Sequence, residues 1–232
     1  MDELTAAVPA APWGAVFDVD GTMVDNHPYH QRGWMELGRR RGLPIDADYY
    51  KNHIHSRDNS VIMENMRRNF SRADLGQDIA EEKEGIYREI YRPHVAEMPG
   101  LLRFLAELRD AGVPCAVASN APEPNARMVV EELGVAAQFA CLLTPAPGLA
   151  GKPAPDLFLE AARRMGLPPG RCVVFEDSFS GFHAAEAAGM PCVAILKGAS
   201  PVSLPHAERA AARHADFTGI TREYVEREVL GL

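Results

Sequence analysis

The strongest constraint on the fold is the alternation of short apolar segments with amphipathic segments from Gly100 onward. Leu101 to Leu108 carries apolar residues at helical spacing, and Gly112 follows as a helix stop. The next apolar segments predict strands at Val113–Ala118, Phe139–Leu143, Cys172–Phe175 and Cys192–Leu196, separated by the helical segments NARMVVEEL, PDLFLEAARRMG and SGFHAAEAAG. Short strands that alternate with helices predict a doubly wound, mostly parallel α/β sheet.

The chain that precedes this alternating region has a different character. Ala15–Phe17 reads as one more strand of the sheet, whereas residues 28–97 read as several helices without a convincing strand. The helical segments are YHQRGWMELGRRRG, NSVIMENMRRNF and DIAEEKEGIYREIYR. We therefore predict an α/β core from residues 1–27 and 96–232. Residues 28–95 are predicted to form a small all-helical insertion after the first strand, the helical insertion.

Composition narrows the function classes. The chain has 232 residues, of which 47% are hydrophobic and 24% are charged, as in an ordinary globular protein rather than a disordered one. Its net charge of -8 argues against a nucleic-acid partner, which would favour a basic surface. No stretch is long and apolar enough for a membrane span, and Asp2 and Glu3 stand where a signal peptide carries positive charge. We therefore predict a cytoplasmic protein without a membrane partner.

Polar or charged residues stand directly after several predicted strands, namely Asp18, Ser119, Glu176 and Asp177. In open α/β sheets, ligands bind at the carboxyl ends of the strands, so we expect these side chains to meet at one edge. Lys152 follows another strand after a loop, and Pro153 biases it toward an extended backbone that projects its amine. Crowded carboxylates repel one another, and a bound cation removes that penalty.

This set of residue types predicts phosphoryl transfer. Asp18 with Asp177 or Glu176 can hold a hard cation, and Mg²⁺ suits them because it binds a few carboxylates together with phosphate oxygens. Ser119 and Lys152 can hold the other side of a phosphate. Within the Asp-x-Asp pair that follows the first strand, one carboxylate can attack phosphorus while the other handles the proton.

The order D-x-D-G-T, a serine after the second core strand, K-P and then E-D resembles the haloacid dehalogenase superfamily of phosphohydrolases over essentially the whole chain. The resemblance implies that Asp18 is the nucleophile that forms an aspartyl phosphate, and that Asp20 is the general acid and base. It also implies a Mg²⁺ site formed by Asp18, Asp177 and the backbone carbonyl of Asp20, with Glu176 supporting the site from behind. The residues implied to hold the phosphoryl group are Ser119, Asn120 and Lys152.

The helical insertion resembles the small cap of the β-phosphoglucomutase and sugar-phosphatase subgroup, through YHQRGW, HSRDNS and Lys83. The resemblance implies that His30 lies near Asp20 and assists proton transfer or cap closure. It implies that Arg57 contacts a distal anionic or hydroxyl group of a sugar and that Lys83 contacts substrate. From the residues alone, His30 could also be a surface histidine, and Lys83 could pair with Glu82 or another neighbour along its helix.

The leading functional prediction is a phosphatase for a small phosphorylated sugar or similar metabolite, and a β-phosphoglucomutase-type mutase is second. Thr22 and the loop NAPEP after Ser119 depart from the mutase pattern and favour hydrolysis. A phospho-accepting signalling switch is the alternative from another class, although such switches lack a helical cap. Carbon–halogen hydrolysis is disfavoured, because the family members that perform it lack the second aspartate.

Overall fold

The computed structural model describes residues 12–55, 57, 59–197 and 207–232. The N-terminal segment with Asp2 and Glu3 therefore lies outside the described residues, as do Ser56 and Asp58 of the segment HSRDNS. Six strands form one parallel sheet. They are β1 (Gly14–Phe17), β2 (Cys115–Ala118), β3 (Phe139–Leu143), β4 (Cys172–Glu176), β5 (Cys192–Ile195) and β6 (Ala212–His214), in the spatial order β3-β2-β1-β4-β5-β6.

Helices flank this sheet and also form the segment after β1. In chain order they are α1 (His27–Arg41), the short α2 (Ala47–Tyr49) with its continuation Tyr50–Ile54, α3 (Asn59–Phe70), α4 (Gln77–Tyr91), α5 (Leu101–Asp110), α6 (Glu123–Glu132), α7 (Asp156–Met165), α8 (Phe179–Ala187) and the short α9 (Arg222–Tyr224). Helices α1 to α4 lie between β1 and α5, which confirms the doubly wound class and the helical insertion after the first strand. The boundaries of the insertion at residues 28 and 95 stay a prediction.

The five strands expected from the sequence all form, and their small boundary shifts have local causes. Val113 lies outside β2 because its N–H donates to the carbonyl of Leu108 and closes the end of α5. Strand β6 was not predicted. It has three residues, Ala-Arg-His, which lack the β-branched and aromatic side chains that favour strands. Its backbone pairing with β5 therefore depends on tertiary placement rather than on a local pattern.

Aromatic rings fill one face of the sheet. Phe17 in β1 stacks on Phe175 in β4, with ring centroids 4.8 Å apart and planes 9° apart. Phe104 and Phe217 pack against Phe175 with centroid distances of 5.4 and 5.7 Å. Val16, on the opposite face of β1, belongs to a second apolar cluster with α7 and α8. Because both faces are covered, the central strands are fully buried.

The helical insertion has an apolar core of its own. Its buried members are Trp34, Leu37, Leu43, Ile45, Ile54, Ile62, Met63, Met66, Leu75, Ile79 and Ile86. Helices α1 and α4 form the main pair of the insertion, and both also reach the core cluster through Tyr29, Tyr87 and Tyr91. Among the residues that the structure describes, no helix combines the length and apolarity that a bilayer crossing requires.

Gly100, directly before α5, is expected to tolerate no side chain. Its φ is +84°, and an added Cβ would lie 2.7 Å from the carbonyl carbon of Phe217 and from the nitrogen of Thr218. Gly112 has a similar φ of +68° but no atom within 4 Å of an added Cβ. Gly112→Ala should therefore cost about 1 kcal/mol for the left-handed backbone alone. Gly100→Ala should cost about 1–3 kcal/mol more because of the backbone clash.

Urea unfolding of both variants and the unmodified protein measures this difference. Equal losses of stability in the two glycine variants would contradict the close packing of Gly100 on the chain at Phe217.

Candidate active site

The carboxyl ends of three neighbouring strands bring the predicted core residues together. Strands β1 to β3 proceed across the sheet in one direction and β4 to β6 in the other, so the strand order reverses between β1 and β4. A ligand crevice is expected at such a switch point. Asp18, Ser119, Glu176 and Asp177 line one cavity of about 550 Å³ here. Lys152 lines the same cavity, so the residues that were scattered through the sequence share one site.

Lys152 forms the central contact of the site. Its Nζ donates to Asp18 Oδ1 and to Glu176 Oε1, both at 2.6 Å. The three side chains are 1%, 9% and 1% exposed, so these charges are almost entirely withdrawn from water. Lys152 is therefore not an ordinary solvent-exposed lysine.

Asn120 holds the backbone of Lys152 in place. The side-chain amide of Asn120 donates to the Lys152 carbonyl and accepts from the Lys152 N–H, each at 2.8 Å. Ser119 Oγ accepts from the N–H of Ala121 at 3.2 Å, which orders the turn after β2. The predicted contact of Asn120 with phosphate stays a prediction. The contact that the structure shows is with the backbone of Lys152, where the Asn120 side chain anchors the loop that carries the lysine.

Burial and crowding shift the acids of the site toward their neutral forms. Burial, followed by the charges of Glu176 and Asp20, raises the pKa of Asp18 from 3.8 to about 7, although Lys152 opposes the shift. Burial, Glu176 and Asp18 raise the pKa of Asp177 well above 3.8. Burial lowers the pKa of Lys152, but the two carboxylates that it contacts outweigh burial and raise it. One lysine therefore does not balance the acids of this site.

Glu176 is fixed from several directions. Its Oε2 accepts the backbone N–H groups of Asp177 and Ser178 at 2.7 Å each, at the start of α8. Ser178 Oγ caps this helix by accepting from the N–H of Gly181 at 3.1 Å. An added Cβ on Gly181 would lie 1.9 Å from Glu176 Cδ, so the helix packs directly on the carboxylate.

The acidic cluster is suited to a hard divalent cation. Asp18, Glu176 and Asp177 each offer a carboxylate oxygen, and these oxygens lie within 4.8 Å of one another. Carboxylate oxygens are the ligands that Mg²⁺ prefers, and a cation would offset the charge that Lys152 leaves uncompensated. Both oxygens of Glu176 already accept hydrogen bonds, whereas Asp18 and Asp177 each keep one oxygen that accepts none from the described residues. The donor set therefore fits a metal held chiefly by the two aspartates.

Asp20 has the opposite electrostatic behaviour from Asp18. Burial would raise its pKa, but hydrogen bonds from His30 and Asn26 and the positive field of His30 outweigh burial and lower the pKa to about 2. His30 Nε2 lies 3.3 Å from Asp20 Oδ2, and Asn26 Nδ2 donates to Asp20 Oδ1 at 2.6 Å. His30 is therefore placed beside Asp20 by α1 and is only 18% exposed, not a surface histidine.

Helix α4 supports His30 from its other side. Lys83 Nζ lies 2.9 Å from His30 Nδ1, and the His30 ring stacks on the Tyr87 ring at 4.0 Å. Burial lowers the pKa of Lys83, while the adjacent carboxylate of Glu84 opposes that shift. Lys83 pairs with Glu84 at 3.1 Å rather than with Glu82. It therefore lies inside the protein next to the site instead of forming a surface pair.

A second cavity, of about 310 Å³, adjoins Asp20 and lies between the helical insertion and the sheet edge. Arg57 and His55 line both cavities, and Lys83 lines the second. The Arg57 side chain is exposed and donates to the carbonyl of His55 at 3.2 Å. The structure thus brings His30, Arg57 and Lys83 toward the core residues, while their predicted contacts with substrate stay predictions.

Several residues of the site had no recognisable signal in the sequence. Asn26 Nδ2 contacts Tyr87 Oη at 2.7 Å as well as Asp20. Asn125 at the start of α6 accepts from Arg88 Nη1 at 2.7 Å and donates to Glu84 Oε2 at 2.8 Å. The role of Asn125 could have been suspected only with the knowledge that α6 faces α4, and that of Asn26 only with the knowledge that α4 lies beside Asp20. A count of spacing along the chain cannot supply that knowledge.

An aspartate bound by a lysine at the end of the central strand, beside acids that can hold a hard cation, is suited to phosphoryl transfer. On a doubly wound sheet with a helical insertion after the first strand, this arrangement defines an α/β phosphohydrolase.

The chain belongs to the haloacid dehalogenase-like hydrolases, and the match to that family covers residues 14–189. Its relatives place it in the subgroup that includes β-phosphoglucomutases and sugar phosphatases. Hexitol phosphatase A of Escherichia coli strain K12 is 32% identical over 190 residues, which are 78% of this chain and 82% of that protein. Fructose-1-phosphate phosphatase YqaB of the same organism is 33% identical over 184 residues, covering 78% and 94%.

Solved structures with a similar fold include a hydrolase of the same family. A family IA, variant 3 hydrolase of Entamoeba histolytica superposes with a TM-score of 0.80 at 24% identity, covering 93% of this chain and 98% of that one. At this identity the likeness supports the fold alone. It agrees with the six-stranded sheet and helical insertion described above.

Asp18 is expected to make stability depend on pH when no divalent cation is added. Because its pKa rises from 3.8 to about 7 on folding, the folded protein binds the proton more tightly. The free energy of unfolding that Asp18 contributes therefore falls as the pH rises from about 4 to about 7. Asp18→Asn removes this titration, so the variant should gain about 2 kcal/mol or more relative to the unmodified protein across that interval.

Urea unfolding in the presence of a chelator, at one pH near each end of that interval, measures the change in the free energy of unfolding. Asp110→Asn, at a largely exposed residue of α5, is the matched control and should show no such gain. A stability difference between Asp18→Asn and the unmodified protein that is constant with pH would contradict the raised pKa.

Proposed function

We propose that this chain is a Mg²⁺-dependent phosphatase that hydrolyses a small phosphorylated sugar or polyol through an aspartyl phosphate. The observation that carries the proposal is the buried Asp18 carboxylate, bonded to Lys152 at 2.6 Å beneath a cavity of about 550 Å³. The cavity is large enough for a phosphorylated monosaccharide. The names of the two similar phosphatases, one for hexitol phosphates and one for fructose 1-phosphate, support the same substrate class.

Mg²⁺ would be held by Asp18, Asp177 and the backbone carbonyl of Asp20. When bound, the ion neutralises negative charge on the carboxylates and on the phosphate oxygens. Glu176 would orient Lys152 instead of binding the ion, because its oxygens already accept from Lys152 and from two backbone N–H groups. Thr22 would keep Asp177 in place through its hydroxyl, which donates to Oδ1 at 3.2 Å.

In the first step, a carboxylate oxygen of Asp18 attacks phosphorus, and the ester P–O bond breaks. Asp20 donates a proton to the leaving sugar oxygen. In the second step, a water oxygen attacks the phosphorus of the aspartyl phosphate while Asp20 accepts the water proton. Inorganic phosphate leaves and the Asp18 carboxylate is regenerated. Throughout, Lys152, Ser119 and Asn120 would bind the phosphoryl oxygens.

Asp20 must carry a proton at the start of this sequence, although its pKa in the free protein is about 2. The negative charge of an arriving phosphate raises the pKa of a neighbouring carboxyl group. Protonation of Asp20 is therefore coupled to substrate binding. His30, 3.3 Å from Asp20 and in contact with Lys83, would supply and take back that proton.

Asp18→Asn should lower the rate of phosphate release by about 10³-fold or more, because the amide is a far weaker nucleophile. The assay measures inorganic phosphate from a panel of hexose, pentose and hexitol phosphates in the presence of Mg²⁺. Asp110→Asn serves as the exposed control and should keep full activity. Near-full, Mg²⁺-dependent activity of Asp18→Asn would exclude the covalent mechanism.

Removal of divalent cations with a chelator should abolish phosphate release, and readdition of Mg²⁺ should restore it. The same preparations distinguish hydrolysis from the mutase reaction, in which the phosphoryl group passes to another sugar hydroxyl. Isomer conversion of glucose 1-phosphate with a bisphosphate primer, without release of phosphate, would identify a mutase. An aspartyl phosphate that persists for minutes without turnover would identify a signalling switch.

A further inference from the structure

Lys83 of the helical insertion, which contacts the His30 beside Asp20, does not present a free charge to the cavity. Lys83 is 3% exposed and Glu84 is 8% exposed, and Lys83 Nζ lies 3.1 Å from Glu84 Oε1. A second contact of Nζ, at 2.9 Å, is with His30 Nδ1. The ammonium therefore has a carboxylate partner inside the protein, where solvent does little to weaken the pair.

Glu84 is held in this position by the core. Asn125 Nδ2 donates to Glu84 Oε2 at 2.8 Å, and Arg88 Nη1 donates to Asn125 Oδ1 at 2.7 Å. Both Glu84 oxygens thus have a partner, and rotation of the carboxylate away from Lys83 would leave buried polar groups unpaired. The negative charge of Glu84 is a fixed part of the second cavity, which Glu84 lines.

Within the described residues, this arrangement leaves Arg57 as the lysine or arginine of the second cavity whose charge no carboxylate compensates. Beside the histidines of its wall, the lysine and arginine of the helical insertion that line the second cavity within the described residues are Lys83 and Arg57, and Glu84 compensates Lys83. Arg57 is exposed, and its guanidinium contacts a carbonyl and no carboxylate of the described residues. Other parts of the wall are apolar, through Trp34 and Ile62.

We propose that Glu84 is a specificity-determining residue that restricts the substrate to monophosphates whose far end carries hydroxyl groups instead of a second phosphate. The inference rests on the proposed phosphatase function and deepens it. A second phosphate beside Glu84 would lose its hydration next to a fixed carboxylate, a repulsive contact that selects against it. A neutral polyol avoids that repulsion. Its hydroxyls can donate to the Glu84 oxygens and accept a hydrogen bond from the remaining N–H of Lys83.

The test compares kcat/KM for fructose 1-phosphate and fructose 1,6-bisphosphate in one preparation of each variant. Glu84→Gln removes the charge with the same shape, and it should raise the ratio of bisphosphate to monophosphate kcat/KM by about tenfold. Glu84→Asp keeps the charge and should keep the ratio within about twofold of the unmodified protein. Glu82→Gln changes the same charge on the same helix, at a residue paired with exposed Arg41, and should also keep the ratio.

A ratio unchanged in Glu84→Gln, or an unmodified protein that favours the bisphosphate, would overturn the role of Glu84. Because the ratio is taken within one preparation, a partly unfolded variant does not alter it. Calorimetry measures the Kd of each ligand without turnover in two further proteins, the Asp18→Asn variant and the double variant Asp18→Asn with Glu84→Gln. The ratio of the two Kd values gives the same comparison. If phosphate is released but the kcat/KM ratio is the same with and without Glu84→Gln, this inference alone is refuted. If no phosphate ester releases phosphate, the proposed function is refuted.

Discussion

The buried contact of Lys152 with Asp18 and Glu176 is the interaction on which the rest of the site depends. It joins the end of β1, the end of β4 and the loop after β3 through two bonds of 2.6 Å. Loss of the lysine would leave two carboxylates in a region that water barely reaches, which is strongly unfavourable. Asn120 and the first turn of α8 brace the lysine and Glu176, so the geometry is set before any ligand arrives.

The same contact creates the need for a further cation. One ammonium faces three carboxylates of the site, and the pKa values of Asp18 and Asp177 are raised in consequence. A site built in this way is destabilised when all of its acids are ionised and stabilised when a divalent ion joins them. Its electrostatics therefore favour an ion and an anionic ligand together, and this links the fold directly to phosphate chemistry.

The helical insertion supplies a contact to Asp20 and a support for that contact. It contributes His30 and Lys83 from two helices that pack together, and Glu84 connects this pair to Asn125 in the core. In the proposed mechanism, the acid–base group Asp20 thus has a partner in the insertion, His30, while the proposed nucleophile Asp18 is held by Lys152 of the core. On this proposal, the insertion would exclude water and select the substrate, and the core would carry the bond formation at phosphorus.

Sequence by itself determined the doubly wound sheet, the helical insertion and the polar residues at the strand ends, because these follow from local periodicity and from the convergence of parallel strands at one edge. It could not predict the existence of strand β6, whose three residues pair with β5 through the backbone. It also could not predict whether Lys83 forms its ion pair with Glu82 or with Glu84. It also carried no signal for the contact of Glu84 with Asn125. Tertiary structure decided these, because they join side chains or backbones that become neighbours only when the sheet and the insertion pack.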